Sequence, residues 1–200
     1  MDFKLTEEHL MIRDAARDFA KQELLPGVIE RDNKQEFPKE QVKKMGELGF
    51  LGMMVDPKYG GGGMDTVSYV LVMEELSKID ASCSVIVSVN NSLVCYGLQS
   101  YANEEQKEKY LPKMVSGEWS GTMDLTEPQA GSDLSLLKCK AMPNNGSYNI
   151  FGNKIFITHG DQDMSDNIIH LVLARLPNSP PGNKGISLFI SPKNRYHYGA

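Results

Sequence analysis

The spacing of apolar residues in this chain changes once, and the change falls on Thr122-Met123-Asp124-Leu125-Thr126-Glu127-Pro128-Gln129-Ala130-Gly131-Ser132-Asp133. Before that stretch, apolar residues return every three or four positions, which places them on one face of a helix. After it they alternate in short runs, which places them on one face of a strand. The stretch itself carries turn chemistry at Glu127-Pro128 and at Ala130-Gly131-Ser132-Asp133. The expected fold class is therefore α+β. An N-terminal antiparallel helical bundle over residues 1–120 precedes an incomplete antiparallel β-sheet or barrel over residues 121–200. A seam of this kind is a common place for a ligand.

The helical half has readable starts and stops. Thr6 is the expected N-cap of a first helix, with Glu7 and Glu8 in the turn where negative charge suits the dipole. Leu10, Ile12, Ala16, Phe19 and Leu24 continue it until Pro26-Gly27 interrupts the pattern. Pro38 opens a helix through Val42, Met45 and Leu48 that Gly49 ends. The glycines 60–63 lack a following Lys-Ser/Thr pair and a preceding parallel-strand pattern, so they read as a close-packed or flexible turn and not as a phosphate cradle. Asp65 or Thr66 caps the next helix. The apolar run Ala81 to Leu98 fits a buried strand or a buried helix; its length favours a central helix, and it reads as too polar and short for a membrane span. Asn103 and Gln106 form a capping box, and Leu111-Pro112 either limits that helix or starts the next.

In the second half, Lys138 to Met142 alternates, Asn144-Asn145-Gly146 is a hairpin turn, and Ser147 to Asn153 returns. Lys154 to Thr158 is expected as a further strand, ending at His159-Gly160-Asp161. Ile168 to Arg175 and Gly185 to Ile190 complete the pattern, and the tail from Pro192 to Ala200 is weakly patterned. A sheet of this size leaves an exposed edge, which points to a truncated domain or one completed by a partner, and to oligomerisation.

Composition narrows the function. A formal net charge of -5 supplies no broad basic field for nucleic acid. Apolar runs fall short of a membrane span and the N-terminus has no signal-peptide pattern, so the expected location is cytoplasmic, or the mitochondrial matrix in a eukaryote whose targeting segment has been removed. Cys83, Cys95 and Cys139 are widely spaced, as in reduced thiols, and no metal-site spacing occurs. Ser132 lies outside any nucleophile elbow, so an esterase reading lacks its base. What remains is non-covalent chemistry. The loop 122–133 offers backbone N–H groups and the Thr126 and Ser132 hydroxyls, and on a strand Phe156 and Thr158 would share a face. An aromatic face beside a hydroxyl suits a planar heteroaromatic ligand. The residues alone equally allow Phe156 as core and Thr126 as a turn cap.

Leu125-Thr126-Glu127-Pro128-Gln129-Ala130-Gly131-Ser132-Asp133 and Lys154-Ile155-Phe156-Ile157-Thr158 are similar to two signatures of the acyl-CoA dehydrogenase family, with phenylalanine where many members have tryptophan. Phe37-Pro38, Tyr59-Gly60-Gly61, Glu74-Glu75-Leu76-Ser77 and Glu104-Glu105-Gln106-Lys107 also resemble it, in order along nearly the whole chain. The first part resembles short-chain, butyryl-type members. From about Gly121, the runs at His170 to Pro177 and Lys184 to Phe189 resemble the branch that includes 3-methylmercaptopropionyl-CoA dehydrogenases.

The resemblance implies FAD as cofactor, an acyl-CoA substrate, electron-transferring flavoprotein as partner, and a homo-oligomer. It places Leu125 and Thr126 at the isoalloxazine edge, Ser132 near the FAD pyrophosphate or the substrate, Phe156 behind the ring, and Thr158 near N5 or the ribityl chain. Tyr96 and Leu98 become neighbours of the acyl pocket. It assigns α-proton abstraction to a carboxylate of a C-terminal helical domain outside this sequence, so no catalytic residue is assigned here, and Glu74, Glu75 and Glu127 are not at the matching place. Asp124 beside the flavin edge would oppose electron accumulation there, and is expected to point away. The alternative is a non-catalytic helical and β protein that keeps the fold for binding or assembly.

Overall fold

The computed structural model describes residues 4–194. The weakly patterned end of the chain, residues 195–200, lies outside them. The chain divides into two compact units: Met1–Ser120 with Gln162–Asp166, and Gly121–Asp161 with Asn167–Ala200.

The first unit is helical. α1 (Glu7–Phe19) starts where Thr6 accepts from the His9 amide, and His9 returns the contact by accepting from the Thr6 amide, so the capping box closes with histidine in the place of glutamate. α1 runs on into a π turn, Ala20–Leu24, in which the Leu25 amide reaches back to the Ala20 carbonyl. The wider turn lets Phe19, Ala20 and Leu24 all face the core. α2 (Val28–Lys34) follows Gly27, whose φ of 75° is the left-handed conformation that glycine adopts without strain. α3 (Lys39–Glu47) buries Val42 and Met45. α4 (Thr66–Ser77) is capped by Asp65, which accepts from the Ser68 amide.

α5 (Ala81–Ser88), a π segment (Val89–Cys95) and α6 (Tyr96–Tyr101) form one continuous 21-residue helix. By length and composition alone this helix is long and apolar enough to cross a membrane, where the sequence pattern reads as too short and polar, but the core helix of a soluble protein passes the same test. Its burial within the helical unit accounts for its apolar character, because Cys83, Val87, Val94 and Leu98 are core residues. The π segment brings two asparagines inside. Asn91 donates to the Phe50 and Val87 carbonyls and accepts from the Met53 amide; Asn90 donates to the Leu51 and Met114 carbonyls. These bonds supply donors to the Phe50 and Leu51 carbonyls of the buried tight turn at Phe50–Gly52. α7 (Glu104–Ser116) contains Pro112 within it, so the proline neither ends one helix nor begins another. The Asn103–Gln106 box anchors the start and Gly117, at φ 81°, closes the end.

The second unit is a five-stranded sheet: β1 (Trp119–Asp124), β2 (Lys140–Asn144), β3 (Ser147–Phe151), β4 (Asn167–Arg175) and β5 (Ile186–Pro192). The order is β1-β4-β2-β3, with β5 also on β4. The β2–β3 and β4–β5 pairs are antiparallel, but β2 meets β4 in parallel at Lys140 and Arg175, so the sheet is mixed where antiparallel pairing was expected throughout. The reason lies in the connection. β2 does not form a hairpin with β4, and the Arg175 amide joins the Cys139 carbonyl at the point where the strands touch. The β2–β3 turn has positive φ at both Asn145 and Gly146, the requirement of the tight hairpin turn that Asn-Gly announces.

Glycine 61 tests the reading of the four-glycine loop. A Cβ on Gly61 would stand 2.1 Å from the Val55 carbonyl oxygen, so this loop is packed against backbone. Gly61→Ala is expected to destabilise the helical unit by about 1–3 kcal/mol, the usual cost of overpacking. Urea unfolding followed by helical circular dichroism measures it; an unchanged midpoint would show that the loop has room.

Candidate functional site

The two motifs singled out in the sequence lie together in the second unit. Hydrogen bonds join them. The Ile155 amide donates to the Thr126 carbonyl at 3.0 Å, the Lys154 ammonium donates to the Leu125 carbonyl at 3.0 Å, and the Thr122 hydroxyl donates to the Thr158 carbonyl at 2.7 Å. Leu125, Thr126, Phe156 and Thr158 therefore occupy one locality.

The local conformation differs from the sequence expectation. Residues 154–158 are not a strand. Their polar groups meet a loop one at a time instead of a ladder, and Gly160 turns back on the Ile157 carbonyl. Phe156 has φ 56° and His159 φ 58°, both left-handed. A side chain accepts that conformation at some cost, and surrounding contacts must hold it. The expectation that Phe156 and Thr158 share a strand face is thus wrong. So is the allowance that Phe156 is core, because its ring is 88 % exposed. Burial of His159 pushes its pKa below the ordinary histidine value.

Glu127 holds the locality together. Its side chain is almost fully buried, yet its carboxylate accepts from the Lys138 amide at 2.7 Å, the Cys139 amide at 3.0 Å, the Lys154 ammonium at 3.0 Å and the Gln129 amide group at 2.6 Å. Its backbone closes a turn over Pro128-Gln129 with Ala130. Burial pushes this carboxyl upward, but the bonds from Cys139, Lys138 and Lys154 outweigh it, and the pKa settles at about 2. A turn was expected at Glu127; the buried clasp was not. A glutamate four residues before a Gly-Ser-Asp turn gives no spacing signal that it pairs with a lysine 27 positions later.

The other proposed residues fall elsewhere. Ser132 is exposed on the bend after the Glu127 turn. In the helical unit, Leu98 is 2 % exposed, a core position, whereas Tyr96 is exposed. Glu75 is engaged by Arg17 at 2.9 Å and by Lys78 at 3.0 Å, and the Arg17 hydrogen bond is the largest cause holding its pKa down at about 2. All three cysteines are free and buried, and burial raises each thiol. Asp124 is partly buried, and its carboxylate accepts from His170 Nδ1 at 2.9 Å.

The clasp has a pH signature. The folded Glu127 carboxyl sits near 2 against an ordinary 4.5, so its contribution to stability is present above about 4.5 and is lost as pH falls from there through 2. That contribution is of the order of 3 kcal/mol. Glu127→Gln should therefore flatten the acid limb of stability between those pH values relative to the unaltered chain, in urea titrations at each pH. Lys154→Met leaves the carboxylate buried without its cation and should cost about 3–5 kcal/mol at neutral pH. A neutral-pH cost below about 1 kcal/mol, the range of an exposed pair, would show that the clasp is only a surface contact.

Known proteins resemble this chain in both halves. The family described as "Acyl-CoA dehydrogenase, N-terminal domain" matches residues 6–118, and "Acyl-CoA dehydrogenase, middle domain" matches residues 122–198. The acyl-CoA dehydrogenase of Bacillus subtilis (strain 168) is 42 % identical over 190 residues, covering 95 % of this chain and 49 % of the relative. The butyryl-CoA dehydrogenase structure from Megasphaera elsdenii superposes with a TM-score of 0.85 at 38 % identity, over 96 % of this chain and 50 % of that one. A glutaryl-CoA dehydrogenase from Mycobacterium smegmatis, solved in complex with FADH2, superposes with a TM-score of 0.84 at 31 % identity, over 94 % of this chain and 46 % of that one. The chain spans about half the length of the curated relatives it matches. Because both halves match in order, and at this identity, the chain belongs to the acyl-CoA dehydrogenase family.

Proposed function

We propose that this chain forms the N-terminal and middle part of an FAD-dependent acyl-CoA dehydrogenase, and that the flavin is held where residues 122–127 meet residues 154–158. The observation that carries this reading is Phe156. A large aromatic ring 88 % exposed, on a backbone held at positive φ, is not explained by packing within the second unit. It suits a planar ligand laid against it.

FAD, when bound, supplies an acceptor for the hydride taken from the β-carbon of an acyl-CoA thioester. The chain's own residues bind and orient. Phe156 stacks on the ring and shields one of its faces from water. The backbone of Leu125 and Thr126 meets the ring edge, its carbonyls already held by Lys154 and Ile155, so this stretch is ordered before the ligand arrives. Thr158, two residues after Phe156, is exposed and offers its hydroxyl, and exposed Ser132 offers a second hydroxyl for the pyrophosphate or the thioester end of the substrate. No carboxylate among the described residues is assigned to proton abstraction; a carboxylate of a C-terminal helical domain takes that part. The same reading carries a cytoplasmic setting, a homo-oligomer, and electron-transferring flavoprotein as the recipient of electrons.

Titration of the protein with FAD, followed by flavin absorbance and quenching of flavin fluorescence, tests the proposal. Saturable binding is expected, and Phe156→Ala should weaken it about tenfold, the loss of one aromatic contact and its buried area. Thr158→Val should weaken it less, by the loss of one hydrogen bond. Failure of the unaltered protein to bind FAD would sink the proposal and leave the binding or assembly role.

A further inference from the structure

Asp124 is the last residue of β1 and His170 stands on β4, the neighbouring strand. Their side chains are 13 % and 18 % exposed, and Asp124 Oδ2 lies 2.9 Å from His170 Nδ1. The second carboxylate oxygen, Oδ1, is buried and has no hydrogen-bond partner among the described residues. The buried carboxylate of Glu127, by contrast, has four donors. A half-satisfied carboxylate is costly to keep in a fold, so it calls for a reason beyond packing. The next residue is Leu125, whose carbonyl is fixed by Lys154 and which opens the stretch assigned to the flavin edge. One residue along the chain is about 3.8 Å. That is well inside the distance of about 10 Å over which salt screens charge, and partial burial weakens screening further.

On the proposed flavin reading, we infer that Asp124, oriented by His170, sets the reduction potential of the flavin: its carboxylate places negative charge beside residues 125–126 and disfavours the reduced, more electron-rich form of the ring. The single bond from His170 fixes the direction of the carboxylate and leaves one oxygen without a neutralising donor. A carboxylate with several donors, as at Glu127, would have its charge spread and its field reduced. The two acids therefore act differently although they lie three residues apart. Glu127 holds the fold, and Asp124 acts on what is bound.

The test compares FAD-loaded unaltered protein with Asp124→Asn by spectroelectrochemical titration. Asparagine keeps an oxygen to accept from His170 and removes the charge. Its midpoint potential is expected to rise by an amount equivalent to at least a tenfold shift in relative affinity toward reduced flavin, about 30 mV for a two-electron couple. Asp124→Ala should move it in the same direction, and serves if the asparagine variant fails to fold. His170→Gln keeps the carboxylate, so its potential should stay below that of both Asp124 variants. FAD bound with an unchanged potential in an Asp124 variant would overturn this inference and leave the flavin site standing. Absence of FAD binding in the unaltered protein would overturn both. A structural role alone would lower the melting temperature or the FAD affinity without moving the potential.

Discussion

The second unit depends on one buried carboxylate. Glu127 draws together the turn at Pro128-Gln129, the Lys138 and Cys139 amides just before β2, and the segment at Lys154. None of these pieces is regular structure. Loops of this kind have no ladder to satisfy their amides, and buried amides without partners are costly. A carboxylate is the compact way to gather several donors, since it accepts from up to four directions. The ammonium of Lys154 completes the charge balance and at once reaches the Leu125 carbonyl, so the clasp and the ordering of the proposed ligand loop are the same set of bonds.

The helical unit solves a similar problem with neutral groups. The tight turn at Phe50–Gly52 is buried, and Asn90 and Asn91 reach its carbonyls from the π segment of the long helix. Both asparagines lie on the buried side of that π segment. In this way an apolar helix, long enough in composition to span a membrane, is fitted to a protein core by its polar residues. Its apolar residues alone would not distinguish the two environments.

Much of the architecture was legible along the chain because its signals are local. The caps at Thr6, Asp65 and Asn103, the stop at Gly117 and the Asn145-Gly146 hairpin turn each depend on residues within a turn of one another. The segment at Phe156 misled for the opposite reason. Its alternation is that of a strand, but a strand needs a partner ladder, and the polar groups of Lys154, Ile155 and Thr158 meet the 122–126 stretch instead. Pro112 misled because a helix tolerates the loss of one hydrogen bond when both its ends are capped and its face is buried, as in α7.

The sequence by itself determined where helices give way to sheet, which two motifs matter, and the family to which they belong, because periodicity, turn chemistry and ordered motifs are properties of neighbours in the chain. Only the tertiary structure decided what those motifs are made into. It turned Phe156 out to solvent, joined Glu127 to Lys154, and set Asp124 against His170 with one oxygen unpaired. Each of these outcomes rests on residues far apart in sequence or on a balance between burial and hydrogen bonding. Neither leaves a mark in the spacing of residues, because both depend on which distant groups arrive at the same point in space.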